Sequence, residues 1–225
     1  MRALVNGCPP QTQYIQRRGG RTVYHGLRLA RSLGLEPTLF VTINFGETSL
    51  AIDEMGPAFL EIRRKFVRWV KNPSRNFAGF AAVPTFLWVL ENPDDNGHFH
   101  AHWLVYVPHA RQQDFTQKLD RWLKSVAPKR FTPEPIHIEP VTALLGLGMY
   151  MLKGQFPPIA EYYGIDPKYQ GWIPGTKRSG CSKNLGPTEH KKAWQAGKHK
   201  RPENWQQGKY ASRVQAAYPP QNQVA

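Results

Sequence analysis

The chain has 225 residues, of which 40% are hydrophobic, so it is long enough to bury a core without disulfide bonds. Its 30 Lys and Arg residues outnumber the 16 Asp and Glu residues, and the net charge of +14 indicates a polyanionic partner, nucleic acid first and an anionic membrane second. Two cysteines, Cys8 and Cys181, are too few for a disulfide scaffold and favour a cytoplasmic location. No apolar run reaches the roughly 20 residues of a membrane-spanning helix, so we expect no membrane association.

The basic residues are concentrated at the two ends of the chain. Residues 1–37 carry a net charge of +5, residues 38–166 are neutral, and residues 167–225 carry +9. The division predicts a globular core over residues 38–166, preceded by a basic N-terminal segment (1–37) and followed by a basic C-terminal extension (167–225). The extension mixes aromatic residues with lysines, a composition that suits single-stranded nucleic acid. Those aromatic residues are Trp172, Trp194, Trp205 and Tyr210.

Apolar periodicity and turn residues predict a series of strands and helices within the core. In chain order they are a strand at Leu39–Phe45, a helix at Pro57–Val70, strands at Thr85–Glu91 and His98–Val107, a helix at 115–126, a short strand at Ile136–Ile138 and a helix at Val141–Lys153. Asn92–Gly97 (NPDDNG) is a strong turn signal and makes the middle two strands a hairpin. This order predicts an α+β fold, with helices packed on one face of an antiparallel sheet.

The third predicted strand carries alternating histidines. In HFHAHWLVYV, side-chain alternation places His98, His100 and His102 on one face and an apolar set on the other. If the hairpin loop is Asn92–Gly97, Glu91 lies opposite His98 and shares the histidine face. One carboxylate and three imidazoles form a mixed ligand set suited to Mn²⁺ or Mg²⁺, with Zn²⁺ less favoured. The alternative to a metal site is a set of exposed polar residues on the solvent side of a sheet.

The last predicted helix contains a tyrosine and a lysine on one face. Tyr150 and Lys153 in YMLK are separated by three residues, which brings them together on a helix. A bound cation and an ammonium group both stabilise charge that develops on a phosphodiester under attack by a phenol. In isolation the pair is more typical of a structural tyrosine beside a lysine whose stem lies on apolar surface.

The ordered set LFVTINF, then HFHAH after an upstream Glu, then YMLKG resembles the HUH endonucleases. Within them it is similar to the single-tyrosine initiators of rolling-circle replication, over roughly residues 38–154. The resemblance implies a ferredoxin-like or RRM-like sheet with the histidines on a central strand. It also implies nicking of single-stranded DNA, or of an origin hairpin, through a 5′-phosphotyrosine intermediate and a free 3′ hydroxyl for a polymerase.

The resemblance assigns roles to individual residues. Tyr150 is then the nucleophile and Lys153 its phosphate-orienting partner. His100 and His102 form the metal pair, and either Glu91 or His98 is the third ligand. Two further groups are expected to contact DNA: Thr42 and Asn44 on the first strand, and Lys177 and Arg178 within Gln170–Gly186, a segment that looks like a tail of bacterial relatives.

The chain lacks the P-loop string G-x-x-x-x-G-K-[ST] that many initiators carry on a helicase domain. A replication initiator of this kind therefore needs a host helicase as well as a polymerase. Three other hypotheses stay open: a transposase or mobilisation relaxase with the same chemistry, a non-catalytic RRM-like binding protein, and a zinc hydrolase that does not use Tyr150. If the nucleophile is a different tyrosine, the candidates are Tyr162, Tyr163 and Tyr169.

Overall fold

The computed structural model describes residues 13–72, 83–95, 97–162 and 164–198. Within them the protein has an α+β fold built on one open antiparallel sheet of five strands. The strands are β1 (Leu39–Asn44), β2 (Phe86–Glu91), β3 (His100–Val105), β4 (Ile136–Pro140) and β5 (Ser179–Cys181). The helices are α1 (Arg17–Ser32), α2 (Ile52–Lys71), α3 (Gln112–Val126), α4 (Leu144–Met151), α5 (Pro157–Tyr162) and α6 (Pro187–Gln195).

The strand order β4-β1-β3-β2-β5 places the histidine strand at the centre of the sheet. The first four strands follow the ferredoxin-like arrangement, in which two strand–helix–strand units interleave and every neighbouring pair is antiparallel. β5 extends this sheet beyond β2. The predicted α+β class and antiparallel sheet are therefore confirmed.

One face of the sheet is covered by α2 and α3, as the apolar pattern predicts. Trp103 on β3 is fully buried there, between Phe59 and Phe66 of α2 and Phe115 of α3. α2 begins at Ile52, five residues before Pro57, where the sequence predicts its start. The Glu54 carboxylate accepts a hydrogen bond from the Ala51 N–H and so caps a first turn that lies before the proline.

The opposite face carries a second helical layer that the sequence did not predict. α1 and α4 lie over it, and Val23 and Leu27 of α1 are buried in the same cluster as Leu104 of β3. The segments set apart by their charge thus contribute to the packed structure, through α1 on the N-terminal side and β5 and α6 on the C-terminal side. Trp205, Tyr210 and Cys8 lie outside the described residues.

Candidate metal centre

Three potential metal ligands meet at the loop end of the β2–β3 hairpin, where β2 ends and β3 begins. Glu91 is the last residue of β2, His100 is the first of β3, and the two are directly paired; His102 follows on the same face. The Glu91 Oε2 atom lies 3.0 Å from His100 Nε2 and 3.2 Å from His102 Nε2. One ligand atom from each residue falls within 4.8 Å of the others, so the cluster could hold one metal ion.

The register of this hairpin corrects one prediction. Glu91 lies opposite His100, not His98, because β3 starts two residues later than expected. Pro93–Asp95 form a helical turn and Gly97 has a φ of 81°, so the connection takes up residues 92–99 instead of a six-residue loop. His98 is exposed and lies outside the three-residue cluster, to which it contributes its backbone carbonyl.

Hydrogen bonds behind the two imidazoles fix which ring nitrogen faces the centre. Nδ1 of His100 lies 3.0 Å from the His98 carbonyl, which can only accept, so this nitrogen carries the proton. Nδ1 of His102 lies 3.0 Å from the Thr42 hydroxyl, which can donate or accept. Nε2 of both rings therefore faces Glu91, where it can donate a hydrogen bond to the carboxylate or, without its proton, bind a metal. Metal-binding histidines are usually oriented by such outer partners.

Burial leaves two polar atoms of this cluster without a partner. Glu91 is 0% exposed and His102 is 4% exposed. Glu91 Oε1 and His102 Nε2 are buried and have no hydrogen bond among the described residues. The Lys153 ammonium lies beside the other oxygen of Glu91, and a divalent cation held by the cluster could give both of these atoms a partner. The residues present therefore fit a metal ion.

The electrostatics favour an ionised carboxylate and neutral imidazole at this centre. Burial acts to raise the pKa of Glu91, but contacts with the His100 and His102 side chains and the charge of Lys153 hold that pKa well below its ordinary value. Burial lowers the pKa of His102, although Glu91 opposes the shift. Both residues are thus in the protonation states in which they bind metals.

The tyrosine and lysine of the last predicted helix join this centre. Lys153, just beyond α4, places its Nζ 3.0 Å from Glu91 Oε2 and 3.9 Å from the centre of the Tyr150 ring. The Tyr150 ring lies 5.3 Å from the His102 ring, centre to centre, and is 45% exposed. A tyrosine with a solvent-accessible ring, a lysine and a candidate metal site therefore share one small region.

The first strand supports the centre from its other side. Thr42 pairs with His102 and Asn44 pairs with His100, so both side chains lie beside the cluster. Their expected contact with DNA is not tested, but Thr42 already has a role in orienting His102. Phe40 also stacks on His102, at 5.3 Å between ring centres. The sequence analysis missed Phe40, although strand alternation puts it on the same face as Thr42.

The two basic residues predicted to contact DNA have different surroundings. Lys177 is exposed, and its position is compatible with a phosphate contact. Arg178 is 3% exposed, and its guanidinium donates hydrogen bonds to the carbonyls of Gln170 and Gly171. Its position does not support the predicted DNA contact. The sequence could not reveal this, because an Arg beside a Lys in a basic segment is more often exposed than buried.

Comparisons with known proteins add no family assignment. No protein-family model matches the chain, and no curated protein matches it either. Within the described ranges, no helix combines the length and apolar character that crossing a bilayer requires. The arrangement itself offers a metal site of two histidines and one glutamate, an accessible phenol and a neighbouring ammonium group, which together are suited to chemistry on a phosphate ester.

Proposed function

We propose that this protein is an HUH-type DNA endonuclease and strand transferase that nicks single-stranded DNA through a covalent bond to Tyr150. The observation that supports this best is the position of Tyr150 and Lys153 at the Glu91–His100–His102 cluster. The sequence separates these residues by up to 62 positions, from Glu91 to Lys153. The fold thus brings a tyrosine with an accessible ring and an ammonium group to one potential metal site.

The proposed reaction is a transesterification. The Tyr150 Oη attacks the phosphorus of a phosphodiester, the new O–P bond links tyrosine to the 5′ side, and the bond from phosphorus to the 3′ oxygen breaks. The phenol proton leaves and the departing 3′ oxygen gains one, so the products are a 5′-phosphotyrosine and a free 3′ hydroxyl. One phosphate ester replaces another, so the phosphotyrosine bond can be exchanged for a new DNA bond in a later strand transfer.

Residues of the chain divide the work between holding and orienting. Lys153 brings a positive charge to the Tyr150 ring and to Glu91, where it can also contact a phosphate oxygen. Thr42 holds His102 in the orientation that keeps Nε2 directed at the centre. A divalent metal held by Glu91, His100 and His102, for which we propose Mn²⁺ or Mg²⁺, supplies polarisation of the phosphate and stabilises the developing charge.

Covalent capture of DNA tests this proposal. The full chain is incubated with Mn²⁺ and a pool of end-labelled single strands that contain a randomised segment, because the recognised sequence is not known. A denaturing gel should show a slow-migrating adduct that is sensitive to protease. The adduct should disappear with EDTA and with Tyr150→Phe, and the released strand should carry a 3′ hydroxyl that a polymerase extends.

Tyr24→Phe is a matched control, because Tyr24 is a partly buried tyrosine on α1 that packs against the apolar cluster containing Val23, Leu27 and Leu104. It should form the adduct at the parent rate. An adduct that persists in Tyr150→Phe would contradict the assignment of the nucleophile. Cleavage with no adduct at all would favour a zinc hydrolase, and binding without cleavage would favour a non-catalytic protein.

The fold argues against the alternative of a non-catalytic RRM-like protein. RRM-type proteins stack bases on a sheet face that is open to solvent. Here the face that carries the histidines is covered by α1 and α4 over much of its area, and Leu104 on that face is fully buried. At the end of the face that carries the centre, Glu91 is buried, but His100 is only partly buried and the Tyr150 ring of α4 is 45% exposed.

The biological role that we propose is initiation of rolling-circle replication of a plasmid or phage. An origin hairpin or single strand is then the substrate, and a host helicase and polymerase are the partners. A transposase or mobilisation relaxase makes the same bond on a different DNA. Replication of a plasmid that carries the gene, and its loss with Tyr150→Phe, would distinguish the initiator from both.

A further inference from the structure

A loop beside the metal centre presents two exposed aromatic rings. In the loop Lys168–Trp172, Tyr169 is 41% exposed and Trp172 is 38% exposed. The Lys168 N–H donates to the carbonyl of Lys153 at 2.8 Å, and the Asn92 N–H donates to the carbonyl of Gln170 at 2.9 Å. Tyr169 thus lies between two chain segments that carry residues of the centre, one ending at Lys153 and the other following Glu91.

This loop is held firmly in place. Both carboxylate oxygens of Asp95 accept from it, one from the Tyr169 hydroxyl at 2.6 Å and the other from the Trp172 N–H. The buried Arg178 guanidinium donates to the carbonyls of Gln170 and Gly171 from behind. Gly171 has a φ of 62°, and a β-carbon there would collide with the Asn92 carbonyl. The loop can press this closely on the hairpin only because that residue is glycine.

The Tyr169 ring belongs to a larger aromatic surface. The Tyr14 ring meets Tyr169 edge to face at 6.2 Å and meets Phe156 at 5.9 Å, and Ile15 bridges to Gln155 just behind them. The hydrogen bond to Asp95 raises the pKa of Tyr169, so its phenol stays protonated and neutral. Its ring is therefore uncharged and already held in place, so binding a ligand costs little conformational entropy at this residue.

Charge selects the occupant of this surface. Lys168 and Lys177, on either side of the aromatic residues in the sequence, are exposed, and the chain as a whole carries +14. Both oxygens of Asp95, an acidic residue beside the two rings, are already hydrogen-bonded to the loop. Flat aromatic rings flanked by cations are what a single nucleic-acid strand binds, because bases stack on the rings and phosphates meet the cations.

We infer that Tyr169 and Trp172 stack on bases of the single strand that flank the phosphate at the Glu91–His100–His102 centre. This inference rests on the proposed function, since it assigns the surface next to that site to the same substrate. It gives the loop the task of placing the strand, while Tyr150 performs the chemistry. The surface formed by Tyr169 and Trp172 should bind single strands in preference to duplexes, because the faces of paired bases are already stacked within a duplex.

Binding is measured on the full chain in EDTA and in a Tyr150→Phe background, so that cleavage plays no part. Fluorescence anisotropy with a labelled oligothymidine at about 0.1 M salt reports the affinity. Tyr169→Ala and Trp172→Ala should each weaken binding about five- to 150-fold, the range for loss of one base–aromatic stack. Tyr169→Phe keeps the ring but loses the hydrogen bond to Asp95, so it should bind more tightly than Tyr169→Ala.

Phe131→Ala is the matched control, since Phe131 is 69% exposed but lies just before β4, at the opposite edge of the sheet from β5. It should leave the affinity unchanged. The affinity for a double-stranded probe should be low and nearly the same in the parent and in all variants. As a second readout, 5-iododeoxyuridine in the strand should photo-cross-link to the peptide that contains Tyr169 or Trp172, and circular dichroism should show that each variant is folded.

The inference is overturned if Tyr169→Ala and Trp172→Ala bind as the parent does, if Phe131→Ala loses as much affinity, or if cross-links fall elsewhere. These results differ from a failure of the proposed function. If the alanine variants bind normally while the Tyr150 adduct still forms, only the assignment of the loop is wrong. If the alanine variants lose affinity but no metal supports an adduct, the loop remains a strand-binding surface and the proposed nicking activity is wrong.

Discussion

Substitution of Thr42 by valine tests whether the cluster is a metal site, because it alters the orientation of a ligand without removing one. Valine has nearly the same shape as threonine but lacks the hydroxyl that lies 3.0 Å from His102 Nδ1. His102 is 4% exposed, so water cannot replace the lost partner. A buried polar group without a partner costs about 1–3 kcal/mol, which is the expected loss of unfolding free energy in EDTA.

The effect on metal binding is separate and is the more informative one. Removal of an outer hydrogen bond to a metal-binding histidine lowers metal affinity about 10- to 100-fold. A tenfold weaker affinity reduces the metal-dependent stabilisation by about 1.4 kcal/mol when the metal is in excess. Urea unfolding with EDTA and with millimolar Mn²⁺ measures this increment directly, as the difference between the two unfolding free energies.

Thr38→Val is the matched control for the loss of a threonine hydrogen bond. Thr38 is half-buried like Thr42, and near the other end of the central strands its hydroxyl donates to the Val107 carbonyl at 2.7 Å and accepts from the Val107 N–H at 3.0 Å. Thr38→Val should lower stability in EDTA at least as much as Thr42→Val and leave the Mn²⁺ increment intact. The reasoning is refuted if the parent gains no stability from Mn²⁺, Mg²⁺ or Zn²⁺, or if Thr42→Val gains as much as the parent.

Three further predictions concern other parts of the molecule. Lys153→Met should lower adduct formation, and Lys153→Arg should restore part of it, because the positive charge beside Glu91 and Tyr150 is kept; equal adduct in all three proteins would exclude a role for the charge. Trp103→Ala should reduce the unfolding free energy in urea by about 3–5 kcal/mol, since the ring is fully buried between two helices, and a loss below about 1 kcal/mol would contradict this packing. In a Cys8→Ser background, Cys181 should react with iodoacetamide at pH 8 about a hundredfold more slowly than in the urea-unfolded chain, because burial raises the pKa of its thiol to about 11; similar rates in the two states would show an accessible thiolate.

Most strands and helices of the core could be predicted from local patterns. β1, β2 and β3 form where β-branched and aromatic residues run between turn residues, and their bounds lie within two residues of the predicted ones. α2 extends further than predicted because Pro57 is read as a first-turn residue, whereas the Glu54 cap starts the helix earlier. Such end effects depend on one side-chain hydrogen bond, which residue periodicity does not report.

The candidate site was predicted in part. Alternation along one strand identifies His100 and His102, and the pairing of Tyr150 with Lys153 follows from helical spacing. The third ligand and the register do not follow, because they depend on the path of residues 92–99 through a helical turn and a glycine of positive φ. Arg178 shows the same limit in another way, since composition cannot reveal that it is buried behind Gly171.

The sequence by itself determined the fold class, the faces of the strands and the residue types capable of metal binding and phosphate chemistry, because each of these is encoded within a few neighbouring positions. Only the tertiary structure decided that Glu91 joins His100 and not His98, that Lys153 reaches the same carboxylate, and that α1 covers the histidine face. These outcomes depend on contacts between segments tens of residues apart. Their geometry is set by the packing of the whole sheet with its two helical layers.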